Sequence, residues 1–282
     1  MPGDHPRELL GAHGLRPKKH LGQNFLIDAD ATQRIARLVL DELPADSRSP
    51  ILEIGAGTGE LTRALVEGGA DVTAIEVDGE LVSILRSRDD LRAATIVAAD
   101  AMTFDYAAFG AGKRWYAAGN LPYNIATSLI VTLCELRDGP QTFVAMIQKD
   151  VADRLAAAPG SPSYGSLSVA VQYTMRVERA FTLGPRVFFP PPKVDSTVVR
   201  LVRRDAPAVT PKDERLFKQV VRAAFAYRRK TLANSLSLAL KLPRNGIAAS
   251  IAACGFQPEI RGEQLDLAAF ARLADALAEG SI

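Results

Sequence analysis

With 282 residues, 48% of them hydrophobic, the chain can bury one large core and a second, smaller one. Its two cysteines, Cys134 and Cys254, lie far apart without a Cys or His at metal-ligand spacing, which argues against a disulfide scaffold or a zinc site and predicts buried, reduced thiols in a cytoplasmic protein. No signal-peptide core and no run near the roughly 18 apolar residues of a membrane span is present, and the net charge of +2 conceals a balance of −9 over residues 41–110 and +8 over residues 186–230.

Residues 1–17 are punctuated by Pro and Gly without periodicity and are expected to be a mobile tail. All three histidines (His5, His13 and His20) fall at or near this end, so neither a metal site nor a Ser/His/Asp triad is supported. From Asp28 the apolar stripe Ile35, Leu38, Val39 and Leu43 predicts a helix ended by Pro44. Gln23-Asn24, just before it, reads as plain loop polarity.

Ile51-Leu52-Glu53-Ile54 then runs into Gly55-Ala56-Gly57-Thr58-Gly59 and a helix through Leu61 and Leu65. A strand, a glycine turn and a helix start let backbone N–H groups approach a ligand. A second strand, Asp71 to Glu76, ends in an acid 21 residues beyond Gly55, a spacing that suits hydrogen bonds to ribose hydroxyls. A third, Thr95 to Ala99, ends in Asp100, so two acids in register would line one crevice of a parallel sheet. Dinucleotide binding, and with it nicotinamide-dependent oxidoreduction, is the first alternative, but the glycines fall as G-x-G-x-G rather than G-x-G-x-x-G. A fourth apolar run, Trp115 to Gly119, stops at Asn120-Leu121-Pro122-Tyr123, and a helical pattern from Ile125 to Leu136 follows. An amide, carbonyls held in direction by Pro122 and an aromatic plane could hold a flat, amine-bearing ring. For those four residues alone, a proline turn with a capping Asn fits as well.

A fifth strand, Thr142 to Ile147, precedes a polar helix stopping at an exposed loop, 159–162; residues 165–175 read as a helix and 194–203 as an alternating edge strand. Asp205 to Pro211 is the linker candidate. Beyond it the periodicity is helical only, over 213–226, 228–241, 246–253 and 266–278. The basic residues Arg222 to Lys230 would ordinarily be a solvated helix face; that they follow another basic run leaves phosphate binding open as the alternative.

The loop and strand-end acids resemble those of Rossmann-like, S-adenosylmethionine-dependent methyltransferases. Asn120-Leu121-Pro122-Tyr123 resembles the amino-methyltransferase motif in the form carried by ribosomal RNA adenine dimethylases. The likeness continues through Gly22-Gln23-Asn24-Phe25-Leu26, Gln148-Lys149, Tyr164-Gly165-x-Leu167-Ser168, Phe188 to Ser196, and Phe225-x-x-Arg228-Arg229-Lys230-Thr231-Leu232-x-Asn234-Ser235-Leu236, covering roughly residues 18–275. Ala56 departs from the family's more usual Pro. Relatives that confer antibiotic resistance through large-subunit rRNA share the first motifs but less of the proline run and the basic helix.

The resemblance implies an α/β fold: a Rossmann-like catalytic domain over 18–204 and a small all-α, RNA-binding C-terminal domain over 211–282. It implies dimethylation at N6 of two adjacent adenosines in a hairpin loop near the 3′ end of 16S rRNA, within a small ribosomal subunit precursor, by a monomer needing no metal. Asn24 and Leu26 would close over the cofactor; Gly55 would face its methionine end, Glu76 the ribose and Asp100 the adenine amine, and Gly57 would also bind the cofactor. Asn120 would serve both cofactor and methyl transfer, with Leu121 and Pro122 shaping the site and Tyr123 and Phe188 stacking on the target adenine. Arg222, Arg228, Arg229 and Lys230 would bind RNA. The rivals are a methyltransferase acting on large-subunit rRNA and a ribosome-assembly factor whose methylation is incidental.

Overall fold

The computed structural model describes residues 5–44, 49–227, 229–257 and 259–279. Among the described residues, nine strands form: β1 (Phe25–Leu26), β2 (Ile51–Ile54), β3 (Val72–Glu76), β4 (Thr95–Ala98), β5 (Tyr116–Asn120), β6 (Thr142–Gln148), β7 (Met175–Leu183), β8 (Phe188–Phe189) and β9 (Ser196–Arg203). Seven make one sheet in the order β4-β3-β2-β5-β6-β9-β7, and β1 pairs antiparallel with β8. From β4 to β6 neighbouring strands are parallel, and β9 returns antiparallel along β6. The strand order reverses beside β2, where an open α/β sheet parts its connections and leaves a crevice at the strands' carboxyl ends.

The chain divides into two compact units, one of residues 1–152 and 176–203, the other of residues 153–175 and 204–282. In the first, helix Ala29–Leu40 is opened by Asp28, whose carboxylate accepts the Ala31 N–H. Its Ile35 and Val39 join Ile51, Leu65, Val72, Tyr116 and Val144 in the core. In the second, Phe217, Val220, Leu236, Ile247 and Phe270 form the centre of a helical core. Tyr164, Val169 and Tyr173 belong to that same core, and the Tyr164 hydroxyl donates to the Leu265 carbonyl at 2.9 Å. Residues 153–175, expected within the catalytic domain of 18–204, therefore pack with the C-terminal helices. Residues 205–211, the linker candidate, have neither helix nor strand.

Several local expectations are corrected. Part of the tail predicted to be mobile is a helix, Pro6–Ala12, capped by His5 and anchored by Leu10 against Phe25, Leu81 and Ile84. The strand predicted at the sheet edge, β9, is interior, with Val198, Val199 and Leu201 buried. The edge is β7, whose run Arg176-Val-Glu-Arg179 is too polar to signal a strand and is mostly exposed. The helix expected over 228–241 is Leu232–Leu240, because Thr231 has extended backbone and the Lys230 N–H closes a turn onto Tyr227. Cys134 is buried but Cys254 only half so, and neither forms a disulfide.

Gly119 decides how closely β5 approaches β2. A Cβ there would lie 2.5 Å from the Ile54 carbonyl oxygen, a backbone atom that cannot yield. Gly119→Ala is expected to destabilise the protein by about 1–3 kcal/mol, seen as a lower urea midpoint. Gly79→Ala, in open space at ordinary φ, should leave the midpoint unchanged or raise it.

Candidate active site

The crevice is lined from every strand end around the switch: Gly55 to Thr58 after β2, Glu76 and Val77 at β3, Asp100 after β4, and Asn120 to Tyr123 at β5. Gly55, Gly57 and Gly59 hold φ of 79°, 58° and 90°, a left-handed turn that a side chain would strain. Glu76 closes this turn. Its carboxylate accepts from the Gly57 N–H at 2.8 Å, the Val77 N–H at 3.0 Å and the Asp78 N–H at 2.9 Å. Burial pushes the Glu76 carboxyl upward and those backbone donors pull against it. Three of its roughly four acceptor positions are thus used by the protein.

Residues 18–26 form a strap along the crevice, where Gln23-Asn24 had read as plain loop polarity. The Lys18 ammonium meets Asp78 at 2.7 Å and Glu80 at 2.6 Å, and the Gln23 amide donates to Asp78 at 2.9 Å. Gln23 in turn accepts the Lys18 N–H at 2.7 Å. Asp78 is 5% exposed, and burial opposes its charge, but the bonds from Lys18, Gln23 and the Glu80 N–H outweigh burial and hold its carboxyl below the usual range. Asn24 and Leu26 line the crevice, and the Phe25 ring lies over Gly57, where a Cβ would come within 3.2 Å of it.

The strap also orients Asn120. Its Nδ2 donates to the Asn24 carbonyl at 2.8 Å. Only the amide nitrogen can make that bond, so the flip is settled and Oδ1 is left as the acceptor on a residue lining the crevice. Beside it, the Tyr123 hydroxyl shares a hydrogen with Ser196 Oγ at 2.9 Å, which fixes the ring of a half-buried aromatic.

Two groups of expected residues do not join this cluster. Phe188 is 3% exposed, pairs with Leu26 across β1–β8 and packs into the sheet core, so its ring is not presented to the crevice. Arg222, Arg229 and Lys230 lie exposed in the helical unit, at the end of helix Glu214–Ala224 and in the turn after it; Arg228 lies outside the described residues. One lining residue was given no role of its own by the sequence reading. Glu53, 1% exposed on β2, has an Oε2 without a hydrogen-bond partner, and its carboxyl is pushed up to about 8 chiefly by burial, with Thr62 acting against the shift. The signal was available: a lone acid inside the apolar run Ile51–Ile54.

The ribosomal RNA adenine dimethylase family model matches residues 14–277. The chain belongs to the ribosomal RNA adenine dimethylase family. "Ribosomal RNA small subunit methyltransferase A" of Pseudomonas aeruginosa is 43% identical over 94% of this chain and 96% of its own length. The protein of the same name from Geobacter metallireducens is 43% identical over 95% and 98%. Among solved structures, a dimethyladenosine transferase from Plasmodium falciparum matches the fold at TM-score 0.77 and 23% identity, covering 92% of this chain and 98% of that one. The 23S rRNA methyltransferase ErmE matches at TM-score 0.68 and 27% identity, over 90% and 99%.

This dimethylase is thus a methyltransferase of the Rossmann-like class that uses S-adenosylmethionine, and its crevice suits that cofactor. Among the described lining residues are four acids (Glu53, Glu60, Glu76 and Asp100) and no Lys, Arg or His. A cofactor with a sulfonium and an ammonium relieves the repulsion among them, and the orphaned Glu53 oxygen is a ready acceptor. The pyrophosphate of a dinucleotide would add to that repulsion, which removes the nicotinamide alternative on electrostatic grounds. No described helix is long and apolar enough to cross a membrane.

The clasp at Asp78 generates a direct test. Asp78→Asn preserves shape and a capping oxygen but removes the charge that binds Lys18. Amide exchange over residues 18–26 is expected to quicken several-fold, with a global stability change below about 1 kcal/mol. Because the folded pKa of Asp78 is depressed, the clasp is complete above the unfolded carboxylate range near 4 and is lost only as pH falls through the lower folded value. Strap protection in the wild type should therefore stay flat from pH 7 to 5 and fall below about 4.

Proposed function

We propose that this protein dimethylates N6 of two adjacent adenosines in a hairpin loop near the 3′ end of 16S rRNA, in a small ribosomal subunit precursor in the cytoplasm, acting as a monomer without a metal ion. The observation that carries the reading is the hydrogen bond between Asn120 Nδ2 and the Asn24 carbonyl, which leaves Asn120 with an acceptor and no spare choice of orientation. The name shared by the curated relatives supports the small subunit as target.

When bound, the cofactor supplies a methyl group already made electrophilic by its sulfonium. The protein's share is placement and electrostatics. An adenine amine is a poor nucleophile because its lone pair is delocalised into the ring. Asn120 Oδ1 and the Leu121 carbonyl accept its two N–H groups, favour a more pyramidal nitrogen and stabilise positive charge as it grows there. Pro122 holds the direction of that backbone. Tyr123 stacks on the base once it leaves the helix stack, its ring braced by Ser196. Gly55 and Gly57 admit the methionine end of the cofactor, Glu76 uses its remaining acceptor position on the ribose, and Asp100 receives the adenine amine. Asn24 and Leu26 close the strap over it. Arg222, Arg228, Arg229 and Lys230 hold RNA phosphates. Phe188 is assigned to the core rather than to the base.

Asn120→Ala should lower single-turnover methylation at saturating cofactor by on the order of a hundredfold or more, and RNA affinity far less. Tyr123→Ala should weaken both, by about 1–3 kcal/mol in binding of the base, whereas Tyr123→Phe keeps most of both. A wild-type rate in Asn120→Ala would remove this stretch from the chemistry. Reversing the charge of Arg229 and Lys230 should flatten the salt dependence of RNA binding by about 0.7–0.9 log units per lost contact without altering cofactor affinity. Mapping methylated positions on rRNA from a deletion strain separates small-subunit from large-subunit action and from an assembly role that survives without methylation.

A further inference from the structure

The unexplained group in the crevice is Glu53. It sits at the third position of β2, one residue before the glycine turn, with Ala74 of β3 and Ala118 of β5 as its register partners. Neither offers a polar contact. The charged groups that act on it are Glu76 at the end of β3 and Glu60 at the start of helix Glu60–Glu67, and both are acids. That helix also supplies Thr62, which acts against the upward shift, while its hydroxyl, like Glu53 Oε2, is buried without a hydrogen-bond partner. From helix Ala29–Leu40 the lining residues are Thr32 and Ile35, which carry no charge. A buried carboxyl with one orphaned oxygen, two acidic neighbours and no described lining cation is stable in water-free surroundings as the neutral acid.

We propose that Glu53 is the cation-binding residue of the cofactor crevice and changes protonation as it works: a neutral acid in the cofactor-free protein, a carboxylate once a cationic group of S-adenosylmethionine is beside it. The O–H bond of the acid breaks and its proton passes to the buffer, so binding one cofactor releases one proton from this residue. The inference rests on the cofactor assignment made above. It gives Glu53 a role in charge matching: the cationic ligand is bound in exchange for a proton, and the protein without it avoids holding a buried, unpaired carboxylate.

The test is calorimetry on the full chain with S-adenosylmethionine at pH 7, in phosphate and in Tris, where the change of observed heat with buffer counts protons. A group titrating at about 8 is roughly nine-tenths protonated at pH 7, so the wild type should release close to one proton per cofactor. Glu53→Gln, neutral in both states, should release close to one proton fewer than the wild type while still unfolding cooperatively. Repeating the titration with S-adenosylhomocysteine, which lacks the sulfonium but keeps the ammonium, identifies the cation. Release with both ligands assigns the ammonium, and release with the methylated cofactor alone assigns the sulfonium. Should Glu53→Gln fail to fold, the wild type alone decides: its affinity should rise about tenfold per pH unit between 6 and 7.5 and flatten above 8. Binding without proton release, equal release in the variant, or an affinity independent of pH over that range would each overturn the proposal. Absence of any binding by the wild type would overturn the cofactor assignment itself.

Discussion

Everything at the crevice depends on the parallel register between β2 and β5. Ile51, Leu52 and Glu53 lie opposite Tyr116, Ala117 and Ala118, so the next positions along the two strands bring Gly119 against the Ile54 carbonyl and Gly55 beside the Asn120 carbonyl. The approach is closer than any side chain allows. It places the glycine turn and the Asn120-to-Tyr123 stretch side by side, although 60 or more residues separate them in sequence. A register shift of one residue would turn Asn120 to the opposite face of the sheet and dissolve the site without removing a single functional residue.

On that frame the crevice concentrates negative charge, which is costly in a folded protein. The structure meets the cost differently at each acid. Glu76 is surrounded by backbone N–H donors, so its charge is satisfied within the turn it closes. Asp78, just outside the crevice lining, is paired with Lys18 and Gln23, and its charge anchors the strap. Glu53 has no such set of donors and keeps one oxygen orphaned. A gradient from satisfied to unsatisfied acids is what a site for a cationic ligand needs: rigid acids shape it, and the least satisfied one gains most from the ligand.

The strap links this electrostatics to the chemistry. Its first half is held by charge at Asp78, its middle supplies the carbonyl that turns the Asn120 amide, and its end is sewn to β8 by two residues of pairing. Lining the crevice and orienting the amide are therefore properties of one segment. Loosening the segment would disorient Asn120 as well as open the crevice, which couples the order of the strap to the readiness of the site.

Much of this was determined by sequence alone. The five parallel strands, the glycine turn, the strand-end acids and Asn120 announce themselves through local rules: apolar runs ended by glycine, acids at fixed offsets and a proline that limits its neighbours. What only the tertiary structure decided are the partnerships across long separations. Gln23 looks like loop polarity until Asp78, 55 residues away, accepts its amide. Phe188 looks like a stacking aromatic until pairing with Leu26 draws it into the core. Strand β7 is too polar to be read as a strand, because an edge needs one bonded neighbour and little burial. Residues 153–175 carry no mark of the unit they join, since packing with Phe217 and Phe270 is a property of three-dimensional neighbours rather than of local pattern. Glu53 lies between the two cases. Its identity was conspicuous in an apolar strand, but its orphaned oxygen exists only once the neighbouring strands have excluded water from it.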